Sequence, residues 1–394
     1  MKLQRFGMLV VLASVFALLV AACGSDPTPT PVPPTATATV AANVPTPTLD
    51  PWVAEWEAMK AAAAEEGELI AFLCCGFGSR IGDFIEEGEL ALGIDIVNST
   101  GSSSQQWNKV KAEREAGVYT LDIWTGGLNT SQNRLLPGGA LADLKSLLVS
   151  PEVLDESLWY NNELFWGDFD TQKYVFAYGG SASLAEITYN TDLLDPSEIT
   201  SYADLLDPKW KGKIVARDPR ENGTSQSTAL FYLLMGEEFL QKLLIDQEVV
   251  ITSDGRQAAD QLALGKYAMC LFACTTEVQA AREQGLPVQE NFPGTVTEGS
   301  RLSTGGNTLM AIDNAPHPAA QKLFVNWFLG KEGQAWWQRI GADQSLRTDI
   351  DLDGVTPGNI RQEGSTYLLV ERDPNFNDKI NESVAAVTRI LATR

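Results

Sequence analysis

The stretch from Ile187 to Ser225, ITYNTDLLDPSEITSYADLLDPKWKGKIVARDPRENGTS, constrains the fold more than any other part of the chain. It opens on a short apolar run, passes through a turn-rich segment and reaches the strand-like Lys213–Ala216. It ends on Asn222-Gly223-Thr224-Ser225, directly before the apolar helical pattern Thr228–Met235. A segment that closes one construction and opens another predicts two lobes. The 394 residues, 44% of them hydrophobic, suffice for two domains of ordinary size, each with a core.

Ahead of that stretch the pattern alternates. A helix is predicted over Trp52–Glu66, where Trp52, Trp56, Met59 and Ala63 recur at helical spacing and Gly67 supplies a stop. There follow a strand at Glu68–Leu73, a helix at Ser79–Glu87, a strand at Ile94–Val97, a helix at Gln105–Ala116 and a strand at Leu121–Trp124. Such alternation signals parallel α/β construction. Downstream, strands at Lys213–Ala216, Val249–Thr252 and Tyr267–Phe272 alternate with helices at Ser227–Met235, Glu237–Asp246, Arg256–Leu264 and Glu277–Glu283. The chain continues through a strand at Thr308–Ile312 and a helix at Pro318–Leu329, and a last helix is expected at Glu382–Ala392. Ligands of open α/β sheets bind outside the carboxyl ends of the strands, so Cys74–Ser79, Ser99–Ser104 and Thr125–Thr130 are expected to face one crevice.

Two further segments precede the fold. Residues 1–22 have the parts of an export signal: Lys2 and Arg5, an apolar run Met8–Ala21, and small residues before a cysteine. The spacing Leu19-Val20-Ala21-Ala22-Cys23 resembles a lipobox, in which Cys23 becomes the lipidated first residue. Residues 23–51 then carry a Pro/Thr/Ala tract with no apolar periodicity, a tether able to reach about 75–80 Å in extended conformers. The expected location is the outer face of the cell membrane, lipid-anchored, or the periplasm where an outer membrane exists.

Charge and chemistry narrow the function. A net charge of −22 and no basic cluster exclude a nucleic-acid partner, because phosphate binding needs clustered Lys and Arg. An enzyme needs a nucleophile with its base, a metal set or a carboxylate pair. The one histidine, His317, is expected in a turn between Pro316 and Pro318, which leaves no Ser-His or Cys-His pair and no multi-histidine zinc site. Carboxylates are plentiful, so a tethered carbohydrate-active enzyme with paired carboxylates remains the alternative, with Trp107, Trp124, Trp159 or Trp166 to stack on a sugar. A lipoprotein scaffold without a small ligand is a third class.

Several motifs resemble one known family. Tyr189-Asn190 with Leu193-Leu194, Tyr202-Ala203-Asp204-Leu205, Asp207-Pro208-Lys209-Trp210-Lys211-Gly212-Lys213-Ile214, Ala315-Pro316-His317-Pro318, Trp327-Phe328-Leu329 and Lys331-Glu332-Gly333-Gln334 resemble, in that order, the lipid-tethered solute-binding proteins of ABC importers. The likeness is greatest to the subgroup that includes the ferric-ion-binding proteins. The resemblance implies an α/β, two-lobed periplasmic-binding-protein-like fold of type II, with a two-stranded hinge and an interlobe cleft. It implies lobe 1 over 52–186, lobe 2 over 187–302, a return to lobe 1 over 303–348 and a C-terminal helical segment over 349–394. It also implies a non-catalytic, monomeric receptor without cofactor or metal, whose partners are a small-molecule solute and a membrane permease. Ferric-binding members place a histidine after the first strand, a carboxylate after the third and paired tyrosines in lobe 2. Here those places read Gly76-Phe77-Gly78-Ser79, Thr125-Gly126-Gly127 and Cys274-Thr275-Thr276-Glu277, so iron would need non-standard ligands.

The expected ligand is therefore polar or anionic. Asn222-Gly223-Thr224-Ser225 and Ser102-Ser103-Ser104 each put hydroxyls and free N–H groups at a helix start, with ordinary N-capping as the other reading. Arg80 and Arg256 are the preferred cations over Arg217 and Arg220. Cys75, Gly76, Ser79, Thr125, Gly126, Ser253, Thr275, Thr276, Thr304 and Gly305 complete the expected lining. Cys74, Cys75, Cys270 and Cys274 form an even set in an exported chain, open to disulfides. Cys270 and Cys274 are too far apart to bridge in an extended strand, and any disulfide is expected within a lobe or between Cys74 and Cys75.

Overall fold

A computed structural model describes residues 51–183, 187–221, 224–272, 274–289, 292, 296–356, 359–368 and 375–394. The expected export signal and tether, with Cys23, Asn222 and Gly223, lie outside the described residues, as do the side chains of Ser79, Thr275 and Thr276.

The first lobe follows the predicted alternation. Helix α1 (Pro51–Glu66) leads into β1 (Glu68–Phe72), α2 (Ile81–Leu92), β2 (Asp95–Asn98), α3 (Ser103–Glu115) and β3 (Ile123–Gly126). β1 runs parallel to β2, with Glu68 opposite Asp95, and parallel to β3, with Ala71 opposite Ile123. Strand β4 (Phe176–Ala177) ends this half, and β5 (Ser181–Ser183) leads out of it. Successive side chains of β1 and β3 enter opposite cores, as the pleat demands: Leu69, Ala71 and Ile123 join Phe84, Phe324 and Phe328, whereas Phe72 and Trp124 join Val110, Leu135 and Met310.

The second lobe is built on β6 (Thr188–Asn190), β7 (Ile214–Arg217), α4 (Ser225–Gln241), β8 (Val250–Thr252), α5 (Gly255–Ala263), β9 (Met269–Leu271), α6 (Thr275–Glu283) and β10 (Val288–Gln289). Its strand order is β10-β6-β9-β7-β8, with β7 parallel to β8 and β9 and β6 antiparallel to β9 and β10. The sequence separates two helices at Gly236. There α4 is bent by a glycine at φ 81°, a backbone state that L side chains rarely adopt.

The chain then recrosses. β11 (Ser300–Ser303) pairs antiparallel with β5, so these two strands carry the chain between the lobes. β12 (Thr308–Ala311) inserts between β3 and β4, antiparallel to both, and completes the order β2-β1-β3-β12-β4. Two helices follow in the first lobe, α7 (Pro318–Leu329) and the unforeseen α8 (Lys331–Gly341). The C-terminal segment adds β13 (Tyr367–Leu368) to the edge of β11 and ends in α9 (Phe376–Leu391). Val387 and Ile390 of α9 enter the second lobe's core, and Arg389 pairs with Glu237 at 2.8 Å.

His317 does more than turn the chain. Its backbone N–H donates to Asp122 Oδ1 at 2.9 Å and its Nδ1 lies 2.9 Å from Asp122 Oδ2, an oxygen that also accepts from Ile70 N at 2.7 Å. Asp122 is fully buried just ahead of β3, at the end of the sheet opposite the strand carboxyl ends. Burial raises its carboxyl above the ordinary value, while the hydrogen bonds from Ile70 and His317 pull it down. His317→Ala strips one partner from a buried carboxylate and should cost about 1–3 kcal/mol in chemical denaturation. A carboxyl raised in the folded state gains stability when protonated, so the variant's deficit should shrink in acid and grow as pH rises through the Asp122 pKa.

Candidate functional site

The carboxyl ends of β1 and β3 open onto one cluster of loops. Cys74 and Cys75, just after β1, are joined in a disulfide, with Cys75 at φ 58°. Cys74 N donates to Thr125 Oγ1 at 3.0 Å, and that hydroxyl turns back to the Cys74 carbonyl at 3.2 Å. Ser103, at the start of α3, stands 3.5 Å from Cys74 Sγ. From the recrossing chain, Gly305 O accepts from Leu128 N at 3.4 Å, and a side chain at Gly306 would run into Cys75 Cβ. Gly76 is likewise pressed against the Asn307 side chain, so the loop after β1 sits on the residues that lead into β12. Cys75, Gly76, Ser103, Thr125, Gly126 and Gly305 are therefore neighbours at the strand ends, and Thr304 precedes them on the recrossing chain.

Several of their polar groups are already engaged. Ser102 Oγ caps α3 by accepting from Gln105 N, and Gln105 Oε1 in turn accepts from Ser102 N, a capping box. Ser104 accepts from Arg134 at 3.2 Å. Thr125 is buried and bound to its neighbours' backbone. What the first lobe offers outward is the disulfide, the loop backbone and the amino end of α3.

The second lobe presents the amino ends of α4, α5 and α6 after β7, β8 and β9. Thr224 and Ser225 are buried at the start of α4, and Thr224 Oγ1 donates to the Asp218 and Glu221 carbonyls at 2.6 and 2.9 Å. Its hydroxyl holds the loop shut and is not a cap. Ser253 is exposed at the end of β8.

The cations are arranged differently from the sequence preference. Arg80 is exposed and paired with Asp83 at 2.8 Å, and Arg256 is exposed and paired with Asp260 at 3.2 Å. Both pairs have ordinary helical i,i+3 or i,i+4 spacing, a signal present in the sequence that marks them as surface pairs. Arg217, at the carboxyl end of β7, has a side chain only 21% exposed. It stands between Glu221 at 3.5 Å and Glu277 at 3.8 Å, its Nε is buried without a hydrogen-bond partner, and Gly255 leaves it room, since a Cβ there would meet Arg217 Nη1 at 2.5 Å. Among the described residues no group of three His, Cys, Asp or Glu side chains is placed to hold a metal ion.

Two α/β lobes, two crossing strands and polar loops at the strand carboxyl ends define a binding protein of the two-lobed type II class. The profile of bacterial extracellular solute-binding proteins matches residues 84–353, and the chain belongs to that family, which captures solutes for ABC importers. An uncharacterised protein of Haemophilus influenzae is 28% identical over 261 residues, 62% of this chain and 67% of that one. A Trichodesmium protein (IdiA, FutA) in complex with iron and citrate superposes with a TM-score of 0.60 at 16% identity, covering 82% of this chain and 99% of that chain. The ferric iron-binding protein A of Mannheimia haemolytica in an open conformation gives 0.59 at 14%, with 82% and 98% covered. A Bordetella ferric binding protein gives 0.59 at 16% with the same coverages. At these identities the structures share the fold with this chain.

The cysteines bring one correction. Cys270 and Cys274 are bridged, although an extended run of four residues would separate them by about 13 Å. β9 stops at Leu271, Phe272 adopts φ 61°, and the chain curls until the two Cα atoms lie 6.3 Å apart. Both disulfides are local to a lobe. Non-reducing peptide mapping should return one peptide with Cys74 linked to Cys75 and another with Cys270 linked to Cys274. A peptide joining Cys75 to Cys274 would contradict the structure.

Proposed function

We propose that the solute is a small anionic or polar molecule, bound in the cleft between the lobes, with its acidic group on the second lobe. One observation carries this reading: Arg217 is held at the carboxyl end of β7 beside the starts of α4, α5 and α6. Helix starts carry unpaired N–H groups and partial positive charge, worth about 0.3–1 kcal/mol each toward an anion when exposed. A guanidinium fork adds charge-assisted hydrogen bonds of about 1.5–3 kcal/mol. Glu221 and Glu277, at the longer ion-pair distances, orient the fork and can accept from hydroxyl or amino groups next to the acid. The loops after β1 and β3, with the Cys74–Cys75 disulfide, would close over the other side of the solute. Closure is then favoured by the ligand because only the closed form presents both halves.

The protein is read as a receptor and not a catalyst, acting as a monomer and held at the membrane by a lipid on Cys23. Cys23→Ala should release it into a soluble fraction. Solved relatives of this fold include iron binders, and iron is the second reading, favoured by that likeness alone. Mass spectrometry of the denatured protein identifies the co-purified solute, and calorimetry then measures it. Arg217→Ala should weaken binding by more than roughly tenfold, with Arg80→Ala and Arg256→Ala within about twofold. Ferric citrate should produce no tyrosinate-to-iron charge-transfer band. A neutral or cationic solute, unchanged affinity in Arg217→Ala, or a clear visible band would each sink the anionic reading.

A further inference from the structure

The C-terminal segment borders a solvent-open pocket away from the strand-end loops. After α8 the chain passes Gln344–Ile350, returns through Arg361–Tyr367 and meets the turn at Tyr160, leaving about 410 Å³ between them. That volume is within the range of small-molecule sites. None of the cleft residues described above lines it.

Two arginines border this cavity, and their surroundings differ. Arg347, fully buried, has its counter-charges: Asp349 at 2.9 Å and Glu152 at 3.5 Å, with the Leu329 carbonyl at 3.2 Å. Burial works against ionisation of Asp349, but the hydrogen bonds and charge of Arg347 outweigh it and hold that carboxyl low. Arg361 has no carboxylate within ion-pair distance among the described residues. It lies over the Tyr160 ring at 4.8 Å and donates from Nη2 to the Ser345 carbonyl at 2.6 Å, while Nη1 is buried with no partner. Ser365 Oγ, on the same wall, is also buried without a partner. Burial lowers the Arg361 pKa to about 10, which still leaves it charged at neutral pH.

Arg361 is half-buried, and a guanidinium whose Nη1 is buried with neither hydrogen bond nor counter-charge is costly; an anion satisfies such a group. The surroundings favour a planar or tetrahedral oxyanion, which can take two parallel N–H bonds from one guanidinium. The remaining wall supplies hydroxyls and amides, from Tyr160, Thr348, Gln362, Ser365 and Tyr367, and one carboxylate, Glu363, which is exposed to solvent and makes no ion pair with Arg361. We propose that this cavity is a second binding site, separate from the cleft, that takes a small oxyanion, a carboxylate or a phosphate group, on Arg361. Its wall includes β13, which pairs with β11, so the bound anion sits against the edge of the sheet through which the chain crosses between lobes.

The test uses the whole mature chain, stripped of co-purified solute, titrated by calorimetry with inorganic phosphate and separately with succinate. At least one should bind, and the arm that does tells phosphate from carboxylate. Arg361→Gln should weaken that binding by at least roughly tenfold, while Arg217→Ala, which alters the cleft, leaves it unchanged. Ser365→Asp places a carboxylate inside the cavity; it should abolish binding of both anions and raise the melting temperature in their absence, so the idea stays testable even if Arg361→Gln folds poorly. The proposal is overturned if neither anion binds the wild-type chain at about 10 mM, if Arg361→Gln or Ser365→Asp binds as wild type does, or if Arg217→Ala alone removes the signal. Failure here leaves the cleft reading intact, since that is read from the co-purified solute and Arg217.

Discussion

The antiparallel pairing of β12 with β3 is the constraint on which the rest depends. With Thr308 opposite Gly126 and Ala311 opposite Ile123, a strand that follows the whole second lobe is inserted into the first lobe's sheet. Closing so long a loop is entropically unfavourable and must be offset by burial, which Leu309, Met310 and Ala311 supply from both faces of the strand. Direction matters as much as position. An antiparallel strand puts its amino end among the carboxyl ends of its parallel neighbours, so Thr304–Asn307 come to rest beside the loops after β1 and β3. Strand β4, antiparallel to β12, likewise ends there and passes into β5. Both crossings thus leave the first lobe from the floor of the cleft.

That floor is cross-tied by side-chain hydrogen bonds. Thr125 ties the β1 loop to β3, Ser102 and Gln105 cap α3 reciprocally, and Thr224 closes its own loop on the second lobe. These hydroxyls hold backbone in place, which lowers the ordering needed on binding. In the function proposed above, the groups that meet a solute are then the backbone N–H donors and Arg217, with the Cys74–Cys75 disulfide on the facing loop.

How much of this is visible in the chain itself varies by kind of contact. The strands and helices of both lobes are legible because apolar spacing and turn residues announce them, as at Gly67, Gly236 and the Pro318 start of α7. Non-local pairings are not. Nothing in Tyr367-Leu368 shows that it will edge β11, and nothing in Phe376–Leu391 shows that its apolar face belongs to the second lobe. The strand-end loops of the candidate site are readable from the chain, but the pairing of its arginines is not equally so: Asp83 and Asp260 stand at helical spacing from Arg80 and Arg256, whereas Glu277 reaches Arg217 only through the parallel packing of β7 and β9. The Cys270–Cys274 bridge escaped because the strand ends at Leu271, one residue before the expected end, and Phe272 bends the chain.

The two ends of the folded chain belong to different lobes. α1 is fixed to the first, where Glu66 accepts from Ala319 and Ala320 N at the start of α7 and Glu55 pairs with Lys322. α9 is fixed to the second, and the terminal Arg394 donates to the Leu244 and Val249 carbonyls. Any rotation of one lobe against the other therefore changes the separation between the two termini. Fluorophores attached at the two ends would form a built-in ruler for opening and closing, with every loop around the solute left untouched.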